Sequence, residues 1–279
     1  MFDGVHMGHR RILTAAKNKS TELGISTSVL LFSSSPHGAK EILLLCDRLH
    51  EMEKMGVHYA YVYDFEELRG KTPEAFVREV LRDTLHARAV FAGYNYRFGA
   101  KAAGDSDTLI RLCGENGIEC GITDRVEALG EAVSSSRIRR LLAAGDIESA
   151  NLLLTYPYYL RAPVEHGKAL GRQLGLPTLN QILSAAHTPM AYGIYYTKTI
   201  LDGRAYPSVT NVGVRPTVEA TDCVNAETHI LDFDGDLYGK TVTVEFYGRG
   251  RGETQFENVD ELRRAIALDC DRARAYFKK

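Results

Sequence analysis

His6 and His9 bracket Met7-Gly8 in the string FDGVHMGHRRIL, immediately before an apparent helix beginning near His9. At a helix N-terminus the backbone amides and the dipole favour anions, and two imidazoles there can hold phosphate oxygens where charge develops. Metal binding is the poorer reading, because no carboxylate or cysteine ligand set accompanies the pair. A surface turn with two solvated histidines is the plain alternative. Further on, Val133-Ser134-Ser135-Ser136 leads into the helix-like string RIRRLLAAG, so hydroxyls and amides face one anion while Arg139 projects one turn in. Taken singly, these serines are a good N-cap. Gly93-Tyr94-Asn95-Tyr96-Arg97-Phe98-Gly99 is a glycine-flanked aromatic loop that could cover a planar ring, or could simply be a packed loop.

The second half carries longer strings. Gly167 to Asn180, GKALGRQLGLPTLN, is a glycine-punctuated loop whose backbone can approach phosphates closely. It ends in Thr178 and Asn180, neutral oxygen donors suited to a magnesium ion that keeps most of its waters. The GxxxxGK[ST] order is absent, so this is not a P-loop. Asn211 to Thr217, NVGVRPT, forms a second glycine-containing turn, and Glu227 heads the string ETHILDF. A kinase acting on an alcohol needs a carboxylate to orient or accept the hydroxyl proton, and Glu227 is a candidate. A lone glutamate there is otherwise a solvated strand residue.

These residues need elements to hold them. Apolar runs rich in branched residues at 24–32, 56–65 and 87–93 read as strands of a sheet buried on both faces. Between them, Thr72-Pro73 marks a cap and first turn, followed by Phe76, Val77, Val80 and Leu81 at helical spacing. Strand and helix in alternation predict a parallel α/β sheet, whose ligands bind beyond the carboxyl ends of the strands. After Tyr156-Pro157 the texture becomes β-rich, with strand-like segments at 193–200 and 240–247 and hairpin dipeptides Asp202-Gly203 and Asp234-Gly235. That pattern predicts a small antiparallel barrel. Val259, Leu262, Ile266, Ala273 and Tyr276 predict a closing amphipathic helix, and the domain boundary is expected near residue 155, giving domains 1–155 and 156–279.

Composition bounds the functions open to the chain. With 279 residues, two domains are expected. Lys plus Arg number 34 against 36 Asp plus Glu, a net charge of -2, which lacks the basic footprint of a dedicated nucleic-acid binder. No apolar run approaches the roughly 18 residues needed to cross a bilayer, and the expectation is a cytoplasmic protein without a membrane partner. The five cysteines are widely spaced with no CxxC pair, and buried reduced thiols are expected. A homo-oligomer is compatible with the sequence.

An HxGH helix start and a SSSxxR helix start within one α/β domain resemble the nucleotidyltransferase superfamily. Over essentially the whole chain, the strings GRQLGLPTLN, NVGVRPTV, ETHILDFDGDLYG and a tail with Arg251, Glu253, Phe256 and Asp269 resemble the bacterial bifunctional riboflavin kinase/FAD synthetase family. The resemblance implies a six-stranded barrel that phosphorylates riboflavin at its ribityl end using MgATP. In it, Thr178 and Asn180 would hold Mg²⁺ and nucleotide phosphates, and Glu227 would be the base. Gly167, Gly171, Arg172 and Gly175 would belong to a phosphate flap running from Gly167 to Gly175, Pro177 would also bind the nucleotide, and Arg251, Glu253 and the terminal helix would border the flavin. The first domain would transfer AMP from a second MgATP to FMN, giving FAD and pyrophosphate. His6, His9, Ser134, Ser135, Ser136 and Arg139 match that family's phosphate-handling positions, and Asn95, Arg97 and Phe98 match a loop near flavin and nucleotide. Three departures fall in the first half. The family begins with a strand before the FDGxHxGH turn, where this sequence has only Met1; Phe32 to Gly38 lacks an acidic residue; and Asn95 stands where Asp is common. They imply weakened or lost adenylyl transfer, or a start site placed too far downstream. A kinase with a purely structural first domain, or a non-catalytic flavin-binding regulator, are the alternatives.

Overall fold

The structure, a computed structural model, describes residues 2–35, 38–166, 176–215 and 223–278, and leaves aside the side chains of Arg215 and Cys223. Backbone contacts divide the chain into two compact units, residues 1–135 and 136–279.

The first unit starts with a 3-10 turn, Asp3–Val5, that feeds α1 (Met7–Leu23). Gly24, in the left-handed conformation at φ 65°, ends that helix by turning its N–H back to Ser20 and Thr21 carbonyls. Then come β1 (Ser28–Phe32), α2 (Leu45–Lys54), β2 (Tyr59–Tyr63) and α3 (Phe65–Arg69). Thr72 caps α4 (Pro73–Ala75) by accepting the Ala75 N–H at 3.2 Å, as its Thr-Pro signal predicts. The helix continues as a π-helical stretch, Phe76–Thr84, that buries Phe76, Val77, Val80 and Leu81. β3 (Ala89–Gly93), α5 (Ser106–Glu115), β4 (Glu119–Thr123) and a short hairpin of β5 (Glu127–Ala128) and β6 (Glu131–Ala132) complete the unit.

β1 pairs with β2, and β3 with β4, each pair parallel. The π-helical stretch packs with Ala92, Leu109, Leu112 and Ile118, while Val5, Leu13, Val29, Leu31 and Met52 form a second cluster. Burial of each such side chain is worth about 1.5–3 kcal/mol as an upper estimate. The expectation of strands buried on both faces is corrected at β2, whose Tyr59, Tyr61 and Val62 are exposed. Among the described residues β2 pairs with β1 alone, and Tyr59 to Val62 are exposed on both of its faces. Cys46, expected among buried thiols, is exposed on α2, and Cys120 is half-buried; Cys113 and Cys270 are buried.

The second unit opens on the body of α6 (Ser135–Ala144) and on α7 (Ile147–Leu154). A six-stranded antiparallel sheet follows: β7 (Tyr159–Pro163), β8 (Leu179–Ile182), β9 (Gly193–Leu201), β10 (Arg204–Arg215), β11 (Cys223–Ile230) and β12 (Thr241–Arg251). Its spatial order is β7-β12-β9-β10-β11-β8. The two edges are drawn together into a nearly closed barrel by two devices. The Glu165 N–H donates to the Asn180 carbonyl at 2.8 Å. The buried Gln181 amide on β8 donates to the carbonyls of Ala162 on β7 and Val242 on β12, at 2.9 and 2.8 Å.

In the barrel the Phe246 ring meets those of Tyr158 and Tyr195, and Leu160, Val242 and Val244 are buried as well. Beside them runs a ladder of buried hydroxyls: Thr197 with Thr210, Thr210 with Thr228, and Thr199 with Ser208, each at 2.8 Å. The closing helix α8 (Val259–Phe277) is capped by Asn258, which accepts the Glu261 N–H at 2.9 Å. It lays Ile266, Cys270 and Ala273 against Val209, Ile194, Tyr196 and Leu231.

Candidate active sites

In the first unit, His6 is the N-cap of α1, accepting the His9 N–H on Nδ1 at 3.4 Å. The His6 ring stacks on that of His9, with centroids 3.7 Å apart and planes 17° apart. These are not solvated turn histidines. Burial lowers the His6 pKa to about 4 and pushes His9 well below its ordinary value, the neighbouring His6 adding to the second shift. Both rings are therefore neutral at pH 7, and Nε2 is the N–H donor of His6 because Nδ1 is accepting. His9 Nδ1 is buried with no hydrogen-bond partner among the described residues.

The turn before the pair is held tightly. Gly4 and Val5 have φ of 77° and 37°, and the second value is costly for a β-branched residue. Full burial of Val5 and a bond from Arg10 Nε to its carbonyl at 3.1 Å hold it there. Asp3 is the hub of this turn. Its buried carboxylate accepts the Ile42 N–H at 2.9 and 3.1 Å and the Leu43 N–H at 3.2 Å. Its carbonyl accepts the Ser135 hydroxyl at 2.9 Å. Ser135 is thus tied to the histidine turn through Asp3, and Ser134 precedes it, half-buried. Ser136 and Arg139 lie in α6 within the second unit. Sequence reasoning missed Asp3, although an aspartate followed by a left-handed glycine is a turn signal.

The 93–99 loop leaves the carboxyl end of β3. Asn95 and Arg97 are exposed, and Arg97 reaches Asp105 at 3.4 Å. Phe98 is 6% exposed, stacked on Tyr96 and tilted against Phe76, so its ring anchors the loop in the core.

In the barrel, β11 pairs with β8 on one side and β10 on the other. Glu227 lies opposite Asn180 across one ladder and opposite Asn211 across the other. The Glu227 carboxylate is exposed, whereas Asn180 and Asn225 are buried. Asn225 Nδ2 donates to Asn180 Oδ1 at 3.2 Å and to Glu227 Oε1 at 3.1 Å. A pocket is lined by Thr178, Asn180, Thr228, Phe233, Asp236 and Tyr238, with Pro177 at its edge. His229 Nδ1 lies 2.9 Å from the Pro177 carbonyl, fastening the segment before Thr178 to β11, and His166 stacks on Tyr238 at 3.9 Å. Gly213 leaves room for the Glu253 carboxylate: a Cβ there would come within 2.7 Å of Glu253 Oε1, which lies over β10 on the Asn211 side. Arg251 forks onto the buried Asp269 of α8 at 2.7–3.2 Å and donates to Thr254 at 3.1 Å. Gly167, Gly171, Arg172 and Gly175 lie outside the described residues. Asn211, expected in a glycine-containing turn, lies instead in strand β10, and Asn225 drew no expectation; their two-residue alternation with Gly213 and Glu227 is the signal that places each on its neighbour's face.

A helix start with neutral histidines and a tethered serine, and a barrel face combining hydroxyl, carboxamides and a carboxylate, define a class: an α/β nucleotidyl-transfer unit joined to a β-barrel phosphoryl-transfer unit. Family models agree with both halves, FAD synthetase matching residues 1–137 and riboflavin kinase residues 154–277. The bifunctional riboflavin kinase/FMN adenylyltransferase of Pseudomonas fluorescens is 35% identical over 98% of this chain and 90% of its own length. The enzymes of the same description from Listeria monocytogenes and Bacillus subtilis are 32% and 31% identical, over 100% and 99% of this chain and 91% and 90% of theirs. A crystal structure described as a macrolide-efflux protein from Streptococcus pneumoniae superposes with a TM-score of 0.88 at 29% identity, over 98% of this chain and 91% of that one. No helix among the described residues is long and apolar enough to cross a membrane. The chain belongs to the bifunctional riboflavin kinase/FMN adenylyltransferase family.

Proposed function

We propose that this chain makes FMN from riboflavin and FAD from FMN, with the kinase in residues 156–279, the adenylyltransferase in residues 1–155, and the cytoplasm as its compartment. The observation that carries the kinase assignment is Glu227, an exposed carboxylate set between Asn180 and Asn211 by strand register. With Oε1 engaged by Asn225, Oε2 is left to accept the proton of the ribityl hydroxyl as its oxygen attacks the γ-phosphorus of ATP. ADP departs with the electrons of the broken P–O bond. Arg251, through Asp269, fixes α8 as a wall for the flavin, and Glu253 borders the same side. The flap, with Gly167, Gly171, Arg172 and Gly175, covers the nucleotide phosphates, and Pro177 also binds the nucleotide.

Thr178 and Asn180 fit a magnesium ion by their donor chemistry. Both offer hard neutral oxygens, Asn180 Oδ1 keeps a lone pair beyond the one that accepts from Asn225, and no group of three His, Cys, Asp or Glu among the described residues competes as a metal site. When bound, Mg²⁺ neutralises charge on the transferred phosphoryl group.

In the first unit, an FMN phosphate oxygen attacks the α-phosphorus of ATP, and pyrophosphate leaves with the electrons of the α–β bridge. The neutral His6 and His9 donate hydrogen bonds to the phosphates at the helix start, helped by Ser134 and Ser135. Asn95 and Arg97 border the flavin and nucleotide, on a loop that Phe98 anchors.

Replacing Glu227 with Gln tests the kinase assignment. FMN formation from riboflavin and MgATP should fall by about 10²–10⁴-fold, with riboflavin binding changed no more than a few-fold. Unchanged FMN formation would overturn the assignment. FAD formation from FMN and MgATP by the same variant should be intact.

A further inference from the structure

One amide nitrogen in the barrel joins the two groups on which the kinase reading depends. Asn225 sits two residues before Glu227 on the same face of β11, and Asn180 lies across the β8 ladder from Glu227. The two hydrogens of Asn225 Nδ2 are both used, one on Asn180 Oδ1 at 3.2 Å and one on Glu227 Oε1 at 3.1 Å. The orientation of this amide is fixed by chemistry, since an ionised carboxylate only accepts hydrogen bonds and the atom facing Glu227 must be the nitrogen. Asn225 is 4% exposed whereas Glu227 is exposed, so the amide is a buried post behind a solvent-facing base. Its own Oδ1 is buried with no hydrogen-bond partner among the described residues. A residue chosen for packing alone would not leave a buried carbonyl unpaired. What the unpaired oxygen accompanies is a nitrogen whose two donors span the gap between strands.

We infer that Asn225 is a positioning residue for the kinase reaction, setting the distance and orientation of Glu227 relative to Asn180 while touching neither substrate nor phosphate. The inference rests on the reading of Glu227 as base and Asn180 as metal donor. Tying Oε1 directs the remaining carboxylate oxygen outward, and the bond to Asn180 Oδ1 stops that side chain from rotating its oxygen away. Neither effect needs the flavin pocket, so removing the amide should act on turnover and on the magnesium requirement, and little on riboflavin affinity.

The test compares full-length wild type with Asn225→Leu, which keeps the size but loses both donors, and Asn225→Ser, which keeps one small donor. For Asn225→Leu, kcat for FMN formation should drop about 10–100-fold and the Mg²⁺ concentration for half-maximal activity should rise, with the riboflavin KM within about threefold. Asn225→Ser should recover part of the lost kcat. FAD formation in the same preparations reports whether the chain is folded outside the barrel, and riboflavin binding reports on the barrel itself. A folded Asn225→Leu protein with wild-type kcat and Mg²⁺ dependence overturns the inference, as does a loss confined to riboflavin KM. If the leucine variant binds no riboflavin, Asn225→Ser decides: reduced kcat at unchanged KM supports the inference, and wild-type kcat ends it. Glu227→Gln, run in parallel, separates the two levels. Full activity there removes the base reading, whereas an inactive Glu227→Gln beside an unimpaired Asn225→Leu removes only the role given to Asn225.

Discussion

Replacing Asp3 by Ala should detach the segment around residues 41–43 from the histidine turn and cost the adenylyl-transfer site its geometry. The carboxylate is 1% exposed and takes hydrogen bonds from two backbone amides, those of Ile42 and Leu43, at 2.9–3.2 Å. Both residues are themselves buried, so water is a poor substitute. An orphaned buried N–H costs about 1–3 kcal/mol, and a bond to a charged acceptor sits in the upper part of that range. Two of them give about 4 kcal/mol. At 1.4 kcal/mol per factor of ten, the equilibrium between docked and undocked segment should move about a thousandfold. Two measurements follow it: hydrogen exchange at the Ile42 and Leu43 amides, which should lose several orders of magnitude of protection, and FAD formation from FMN and MgATP, which should fall steeply. FMN formation from riboflavin, made by the other unit, is the internal control and should hold. Asp3→Asn, which keeps an acceptor oxygen but removes the charge, should fall between the two. An Asp3→Ala protein with native protection at both amides and native FAD formation would refute this reasoning.

Two further outcomes follow from the packing and from the histidine pair. Phe246 is fully buried between Tyr158 and Tyr195, so Phe246→Ala should destabilise the barrel by about 3–5 kcal/mol in urea unfolding, and a loss below about 1 kcal/mol would contradict its place in the core. His6 has its pKa lowered to about 4 from 6.5, so between those values the unfolded chain binds the proton and the folded chain does not. The stability that this represents is complete above pH 6.5 and is lost as pH falls toward 4, amounting to roughly 3 kcal/mol. Thermal melts of the wild type should therefore slope downward across that window, and a His6→Gln protein should slope less; equal slopes would count against a buried, neutral His6.

The parts legible in the sequence are those whose signals are local. Thr72-Pro73 announces its helix, the apolar runs mark β1, β2 and β3, and His6 and His9 sit three apart at a helix start because that spacing brings rings onto one side. What escaped is long-range. Asp3 closes contacts 39 and 40 residues away, and Asn225 meets Asn180 across 45 residues. Nothing in either neighbourhood names the partner: strand register decides it for Asn225, and the docking of residues 41–43 onto the turn decides it for Asp3. The exposure of β2 escaped for a related reason: an apolar run reports the propensity of a strand and not how many neighbours it will find. Phe98 was read with its loop as facing a ligand, and only the position of Phe76 and Tyr96 shows that its ring turns inward.

The ladder of hydroxyls inside the barrel bears on how the strands find their alignment. A strand that slips by one residue turns its apolar face to water and is rejected at once, but a slip of two keeps every inward residue inward. In an aliphatic interior such a slip would change packing only modestly. Between β10 and β11 it would set Thr210 opposite Ala226 or Ile230 in place of Thr228, and a buried hydroxyl left unpaired there costs about 1–3 kcal/mol. Thr210 and Thr228 thus act as a lock on β10 and β11, and what they lock is the alignment that sets Glu227 opposite Asn211.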